Sequence, residues 1–410
     1  MGRLPAVLLA AVVGCYHGNP EQACHVRCTP GGPCPSGLAC ESDGLCHNPD
    51  GTCPIEPADA DLRPDVPPDE LIANCYGTGL LKFCAEAPTA PLTIGAPKAI
   101  NTSTNNADCT VVNIDASGDK VCLVLVKSFA ITSNVTLTAS GKYPLAIISD
   151  STIDIAGFID VSGQTSSNPA GANLGCSTGT DPMISIGGTV SAGGGAGGSS
   201  GTVGFPGGNS AGGVVASGLP GAAFLTNPSP GYVRGGCDGQ DGAMYMQPAR
   251  GGAGGGAVYL IARTSIHFTS GWIDASGGPG ATSGYYAGGG GGGAGGLIGL
   301  DAPTIDTTNG FLMANGGAGA CGSSGANAQG TAGHVCAINL PTTPAKGGCR
   351  GDGTFFGGAG GNGAASTFDA TAGDGVTAGF GGGGGGGGIG YLLVYGSATL
   401  GGHSPADTHP

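Results

Sequence analysis

The sequence predicts an all-β chain: a parallel β-helix or solenoid with long glycine-rich loop insertions, preceded by a small disulfide-rich module. Three observations carry that expectation. Glycine (89) and proline (28) make up more than a quarter of the 410 residues, and glycine costs a helical position about 1 kcal/mol relative to alanine. Short β-branched runs alternate with period two, which is the spacing of a strand with one face buried. The same short-strand unit recurs along the chain with a glycine at its corner, as stacked coils require. Ordinary disorder does not fit, because hydrophobic residues are 40%, charged residues only 10% and mean hydropathy is +0.15.

The N-terminus reads as an export address. Met1–Arg3 is a short positive start, Leu4–Val13 is apolar, and Val12-Val13-Gly14-Cys15 follows. The apolar run is too short to span a bilayer and suits the core of a signal peptide, residues 1–15. Its end resembles a bacterial lipobox, which implies lipidation of Cys15. The match departs in having Val at the first two positions, where Leu and then Ala or Ser are usual. Cleavage as a plain secreted protein is the alternative. Membrane contact through the anchor, at an outer membrane or cell surface, is the expected location.

Residues 16–53 hold Cys24, Cys28, Cys34, Cys40, Cys46 and Cys53, separated by Pro, Gly and Ser. So small a segment cannot build a core and needs cross-links. The spacing does not choose among the possible pairings. Zinc is the rival, since His17, His25 and His47 interleave with the cysteines, but the CxxC pairs usual in structural zinc sites are missing. The segment, with Pro33-Cys-Pro-Ser-Gly-Leu-Ala-Cys40, resembles small EGF-like or disintegrin-like modules. Residues 54–70, rich in Pro and Asp, predict a stiff extended spacer ahead of a domain at 71–410.

Within that domain the repeat is Thr152–Gly163, Ser265–Gly277 and Thr304–Gly316, each preceded by an apolar strand (Leu145–Ile148, Val258–Ile261, Leu297–Leu300). A shorter copy is Tyr391–Tyr395 followed by Ser397–Leu400. Ile153, Ile155, Ile159 and Val161 point one way and Asp154 and Asp160 the other, with Gly157, Gly271 and Gly310 at the bends. A β-sandwich also uses short alternating strands, but long inserts between paired strands favour the solenoid. The pattern resembles the glycine-rich β-helical passengers of bacterial surface and adhesin proteins, which implies an exported structural or adhesive role. Gly288–Gly293 and Gly381–Gly388 lie in the inserts, which are therefore either mobile or packed backbone to backbone. Ahead of the repeat, Thr110–Ile114 and Val121–Val126 predict a hairpin turning at Asp115–Asp119 and closed by a Cys109–Cys122 disulfide.

No catalytic residue, metal site or cofactor is assigned. The loops at Cys237–Gly242 and Arg350–Gly353 offer carboxylates but fit no calcium-binding pattern. Asp160 and Asp274 are equivalent positions that would face each other if coils stack, as paired acids do in polysaccharide hydrolases; Met313 in the third copy favours solvated surface aspartates instead. Trp272 aligns with Phe158 and Phe311 and reads as a corner aromatic, with sugar stacking as the alternative. Thr132, Thr136 and Thr138 are the only hint of a flat binding array. Thirteen basic against 27 acidic residues (net −14), with no Lys or Arg between Lys142 and Arg234, argue against nucleic acid. The expected function is a non-enzymatic surface lipoprotein, structural or adhesive, meeting a surface polysaccharide or another cell. A carbohydrate-binding or polysaccharide-degrading β-helix is the alternative. Replacing Cys15 by Ser is expected to move the protein from the detergent phase to the aqueous phase on phase partition; a wild type already in the aqueous phase would remove the anchor.

Overall fold

A computed structural model describes residues 28, 34, 38–42, 45–47, 74–114, 119–164, 168–177, 179–186, 190–210, 215–219, 221, 231–244, 249–282, 286–323, 342–348, 357–366, 368–376 and 381–406. The signal segment with Cys15, then Cys24, Cys53, the 54–70 spacer, the 115–118 turn, Cys336, Cys349 and Arg350–Gly353 lie outside the described residues. Contacts divide the chain into Met1–Ile72 and Ala73–Pro410. In the first unit, β1 (Ala39–Cys40) pairs antiparallel with β2 (Cys46–His47). Two interleaved disulfides, Cys28–Cys40 and Cys34–Cys46, hold it. The sulfurs of Cys28, Cys34 and Cys40 lie within 4.8 Å of one another, but a metal needs thiolates, and these are oxidised.

Ala73–Pro410 has no helix among its described residues, and its sheets are mostly parallel. A hairpin of β3 (Asn74–Tyr76) and β4 (Phe83–Ala85), joined by Cys75–Cys84, precedes β5 (Leu92–Ile94) and β6 (Lys98–Asn101). Next, β7 (Thr110–Asn113) runs antiparallel to β8 (Lys120–Val126), and a disulfide joins Cys109 to Cys122. Val111 is the residue opposite Cys122, so the bridge reaches two residues diagonally. From β8 onward the chain repeats a three-strand turn. β8 leads into β9 (Phe129–Ile131) and β10 (Thr136–Ser140); β11 (Leu145–Ser149) into β12 (Thr152–Ile155) and β13 (Phe158–Asp160). After a small β14 (Ile184–Ser185) and β15 (Ser191–Ala192) pair, β16 (Ala257–Ala262), β17 (Ser265–Phe268) and β18 (Trp272–Asp274) follow. The last turns are β19 (Leu297–Asp306) with β20 (Phe311–Met313), and β21 (Tyr391–Thr399) with β22 (Gly402–Ser404).

Equivalent strands of successive turns pair in parallel: Leu145 lies opposite Cys122 and Val258, Ile153 opposite Phe129 and Ile266, and Ile159 opposite Leu137 and Ile273. Alternation then sends one side chain in two to a common interior. Ile147, Ile153, Ile155, Ile159, Ile266 and Phe268 are all fully buried there. Each methylene removed from water at such positions contributes about 0.8 kcal/mol. The corner glycines touch in sequence: a Cβ on Gly271 would overlap the carbonyl of Gly157, and one on Gly310 would press on the carbonyl of Gly271.

The outward face of the first strands is apolar too, and the hairpin covers it. Tyr76 and Leu81 pack on Ile148, Tyr259, Ile261 and Leu393. Asp301, itself buried, accepts hydrogen bonds from the Thr78 amide (2.6 Å), the Thr78 hydroxyl (2.9 Å) and the Gly79 amide (2.8 Å). Asp150 accepts from the Tyr76 hydroxyl (3.0 Å) and pairs with Arg263 (2.9 Å), whose guanidinium lies over the Tyr76 ring.

The glycine-rich inserts are packed backbone to backbone. They leave the stack after β13, β18 and β20 and return at β16, β19 and β21. Their hydrogen bonds recur with period three. Amides 288, 291 and 294 donate to carbonyls 243, 240 and 237; amides 289, 292 and 295 to 382, 385 and 388; amides 290, 293 and 296 to 281, 278 and 275. Three residues per turn with no internal hydrogen bonds is polyproline II geometry. The segment 287–296 thus bonds to six neighbours: 192–198, 237–243, 252–255, 275–281, 317–323 and 382–388. The segment 381–390 likewise bonds to 192–198, 202–208, 289–295, 314–323, 358–364 and 371–374.

These two surrounded segments contain the longest glycine runs. In a threefold chain enclosed on all sides, every residue position faces a neighbouring backbone. A Cβ on Gly291 would overlap the carbonyl of Ala196, and one on Gly384 that of Gly290. Gly291→Ala is expected to destabilise by about 3 kcal/mol as overpacking, whereas Gly95→Ala, which meets nothing within 4 Å, is expected to be neutral. Urea denaturation of both variants checks this; equal midpoints would contradict the enclosed packing.

Candidate functional site

The register brings Asp160 and Asp274 together as direct partners on β13 and β18, with Met313 next on β20. Contrary to the solvated reading, Asp274 is only 9% exposed. The glycine-rich strands begin one residue later and close over it. Burial pushes its pKa up to about 6, against hydrogen bonds from the Ser276 hydroxyl and amide, and the Asp160 carboxylate adds to the rise. Asp160 accepts from the Ser162 amide (2.9 Å) and hydroxyl (2.7 Å). Both carboxyls are thus engaged by the serine two residues on. An acid/base pair for glycoside cleavage must reach the glycosidic oxygen, and Asp274 is enclosed.

Trp272 stands between Phe158 and Phe311 in register. The Phe158 and Trp272 rings stack at 4.6 Å between centroids, so the indole face towards Phe158 is taken by another ring rather than left open to a sugar. Two of the three threonines named from the sequence are also engaged: Thr132 donates to the carbonyl of Ile94 (3.3 Å) and Thr138 to that of Lys98 (3.4 Å).

A polar array does exist, on the outward face of the second strands. Thr152, Ser265, Thr304 and Ser397 form one column, and Asp154, His267, Asp306 and Thr399 the next. His267 lies 3.9 Å from each neighbouring carboxylate, Asp154 through Nδ1 and Asp306 through Nε2. The Thr308 hydroxyl and amide hold the Asp306 carboxyl below its ordinary range, with His267 contributing. Exposed pairs of this kind are screened by solvent and add little to stability. The period-two alternation already marks these residues as outward, but only the register shows that they line up.

A third surface lies at the far end of the glycine-rich strands, where 275–282 turns back at 286. Ala243 bonds there to Gly193 and Gly288, and Gly193 to Met183. Thr180 bridges to Leu219, while Cys176–Cys237 fastens the same edge nearer the stack, where Ala294 bonds to Cys237. Met183, Ile186, Leu219 and Met244, about half exposed or more, gather at this edge. Their signal in the sequence is weak because they lie in short segments distant along the chain. Asp238 and Asp241, considered as calcium ligands, accept instead from the Gly254 and Gly251 amides (2.8 Å each).

Disulfides in both units indicate an oxidising environment. Among the described residues, no helix is long and apolar enough to cross a membrane. No protein family, curated protein or solved structure matches the chain.

Asp274 supplies a signed test. Its folded pKa of about 6 exceeds the ordinary 3.8, so the folded state binds more protons between those values. Its contribution to stability therefore falls as pH rises from 4 to 6 and stays low above. Asp274→Asn, which keeps an acceptor for Ser276, is expected to stabilise above pH 7 by up to about 3 kcal/mol and to flatten that slope. Urea midpoints at pH 4 and pH 7 read both; an unchanged slope would contradict the buried carboxyl.

Proposed function

We propose that the chain is a non-enzymatic cell-surface lipoprotein of structural or adhesive role, held by lipid at Cys15. In this reading the parallel stack is a β-solenoid and the glycine-rich strands are a stiff arm that presents its far end to a partner. The observation that carries the reading is that hydrogen-bonded neighbouring segments bring exposed Met183, Ile186, Leu219 and Met244 to that end, since exposed apolar side chains set near one another mark contact sites. Supporting it, every amide of 288–296 is hydrogen-bonded, so load at the far end meets bonded backbone rather than slack loop. The polar columns at Asp154, His267 and Asp306 favour a second reading, carbohydrate binding on the stack itself.

Cells producing the full chain are expected to be shaved of it by external protease and to adhere to neighbouring cells several-fold better than cells lacking it. Met183→Ser with Leu219→Ser and Met244→Ser is expected to abolish the gain at equal surface level. Adhesion unchanged by that triple variant but lost with Asp154→Asn and Asp306→Asn would favour the second reading. Absence from the surface would overturn both.

A further inference from the structure

Two grooves, of 260 Å³ and 460 Å³, open along the edge formed by 237–244, the second at the far end and the first nearer the stack, and share Asp181 and Gln240 as a common wall. Asp238 lines the first and Asp241 the second; Met244 and Ile184 supply apolar wall. Among the described residues no Lys, Arg or His lines either groove. Arg250, on the strand paired with Asp241, lies outside the lining.

The sequence explains this polarity. The stretch between Lys142 and Arg234, which builds most of these walls, has no basic residue at all, and Arg234 and Arg250 bracket the segment that supplies the rest. Two of the carboxylates each accept one backbone amide, which leaves their remaining lone pairs for an incoming donor. Desolvation raises the pKa of Asp238; the Gly254 amide opposes that, and the like charge of Asp241 adds to it. A cation in the groove relieves such like-charge repulsion.

We propose that this edge docks a cationic amphipathic peptide segment of a partner protein, with Lys or Arg set against Asp181 and Asp241 and apolar side chains set against Met183, Leu219 and Met244. The proposal rests on the adhesive reading above and names the chemistry of its partner. Charge complementarity selects this occupant: an acidic segment would place carboxylate against carboxylate, and a purely apolar one would leave Asp181 and Asp241 partly desolvated without a counter-charge. Methionines at the rim suit a partner whose side chains vary, because their flexible thioethers repack.

The test uses the purified full chain and synthetic extended peptides. A Lys/Leu alternating peptide is expected to bind, with affinity falling at least tenfold between 50 mM and 500 mM salt; Glu/Leu and Lys/Ser peptides are expected to bind at least tenfold more weakly. Asp181→Asn with Asp241→Asn, and separately Leu219→Ser with Met244→Ser, are each expected to weaken the Lys/Leu peptide at least tenfold. Asn at 241 keeps an acceptor for the Gly251 amide, and unchanged thermal unfolding confirms that both variants fold. Asp154→Asn with Asp306→Asn removes equal charge from the stack and is expected to have no effect. Binding that this control weakens equally, binding indifferent to the groove variants, equal binding of Glu/Leu, no binding of Lys/Leu, or self-association of the chain through this edge in sedimentation would each overturn the proposal. Peptide binding without cell adhesion would overturn the adhesive reading alone; adhesion without peptide binding would overturn the groove alone.

Discussion

Backbone hydrogen bonds between neighbouring extended segments, repeated every third residue, are the interaction on which the architecture of residues 73–410 turns. A strand in a sheet uses two of its sides for hydrogen bonds and keeps two for side chains. The segments 287–296 and 381–390 use all their sides, so neither has room for a Cβ at Gly291 or Gly384. Ordering glycine costs roughly 0.5–1 kcal/mol more than ordering alanine. A satisfied amide contributes about 0.5–1.5 kcal/mol net, and an unsatisfied buried one costs more than that. The two effects are of the same size, so only complete satisfaction of the columns makes such a structure tenable. The nine amides from 288 to 296, all bonded, meet that condition.

The parallel stack supplies what the glycine strands lack. Its interior side chains are large and branched, and the pairing that holds its coils runs on into the inserts without interruption: Val161 bonds to Asp274, Ala275 to Met313 and Ala314 to Ser404. The stack therefore fixes where each outgoing strand begins, and Gly256 and Gly296, bonded to Val161 and Ala275, fix where each returning strand ends. Burial of Asp274 follows from this junction. The carboxyl sits where a side-chain-rich sheet passes into a side-chain-free assembly, and Ser276 holds it from the same strand end.

The sequence reveals the stack where a glycine marks the corner, as at 157, 271 and 310. It hides the coil at 120–140, because its corner uses Thr132–Val135 with Asn134 at φ 61° in place of a glycine. The glycine strands were legible only as a choice between motion and backbone packing. A run such as Gly381–Gly388 has no side-chain period, so its threefold repeat leaves no pattern to read. The burial of Asp274 was illegible for a related reason, since the residues that cover its surroundings are far along the chain. Cys109–Cys122 was readable because local strand and turn propensities bring those positions together, whereas Cys176–Cys237 joins segments related only through the packed glycine strands.

A constraint this strict inside the assembly confines chemical variety to its ends. From 287 to 296 the chain advances about 3.1 Å per residue, which places the far end roughly 30 Å from the first strands of the stack by the same rise. Electrostatic influence in physiological salt decays over about 8 Å. The carboxylates of the stack, Asp154 and Asp306 among them, are thus screened from whatever meets the far end. On the proposed reading, recognition there falls to residues on the spot: Asp181 and Asp241 for charge, and Met183, Leu219 and Met244 for apolar contact. The enclosed glycines cannot vary without collision, while the exposed Met183 and Leu219 side chains meet no such limit. On the proposed reading, an arm of fixed interior and variable end separates the requirement for rigidity from the requirement for specificity.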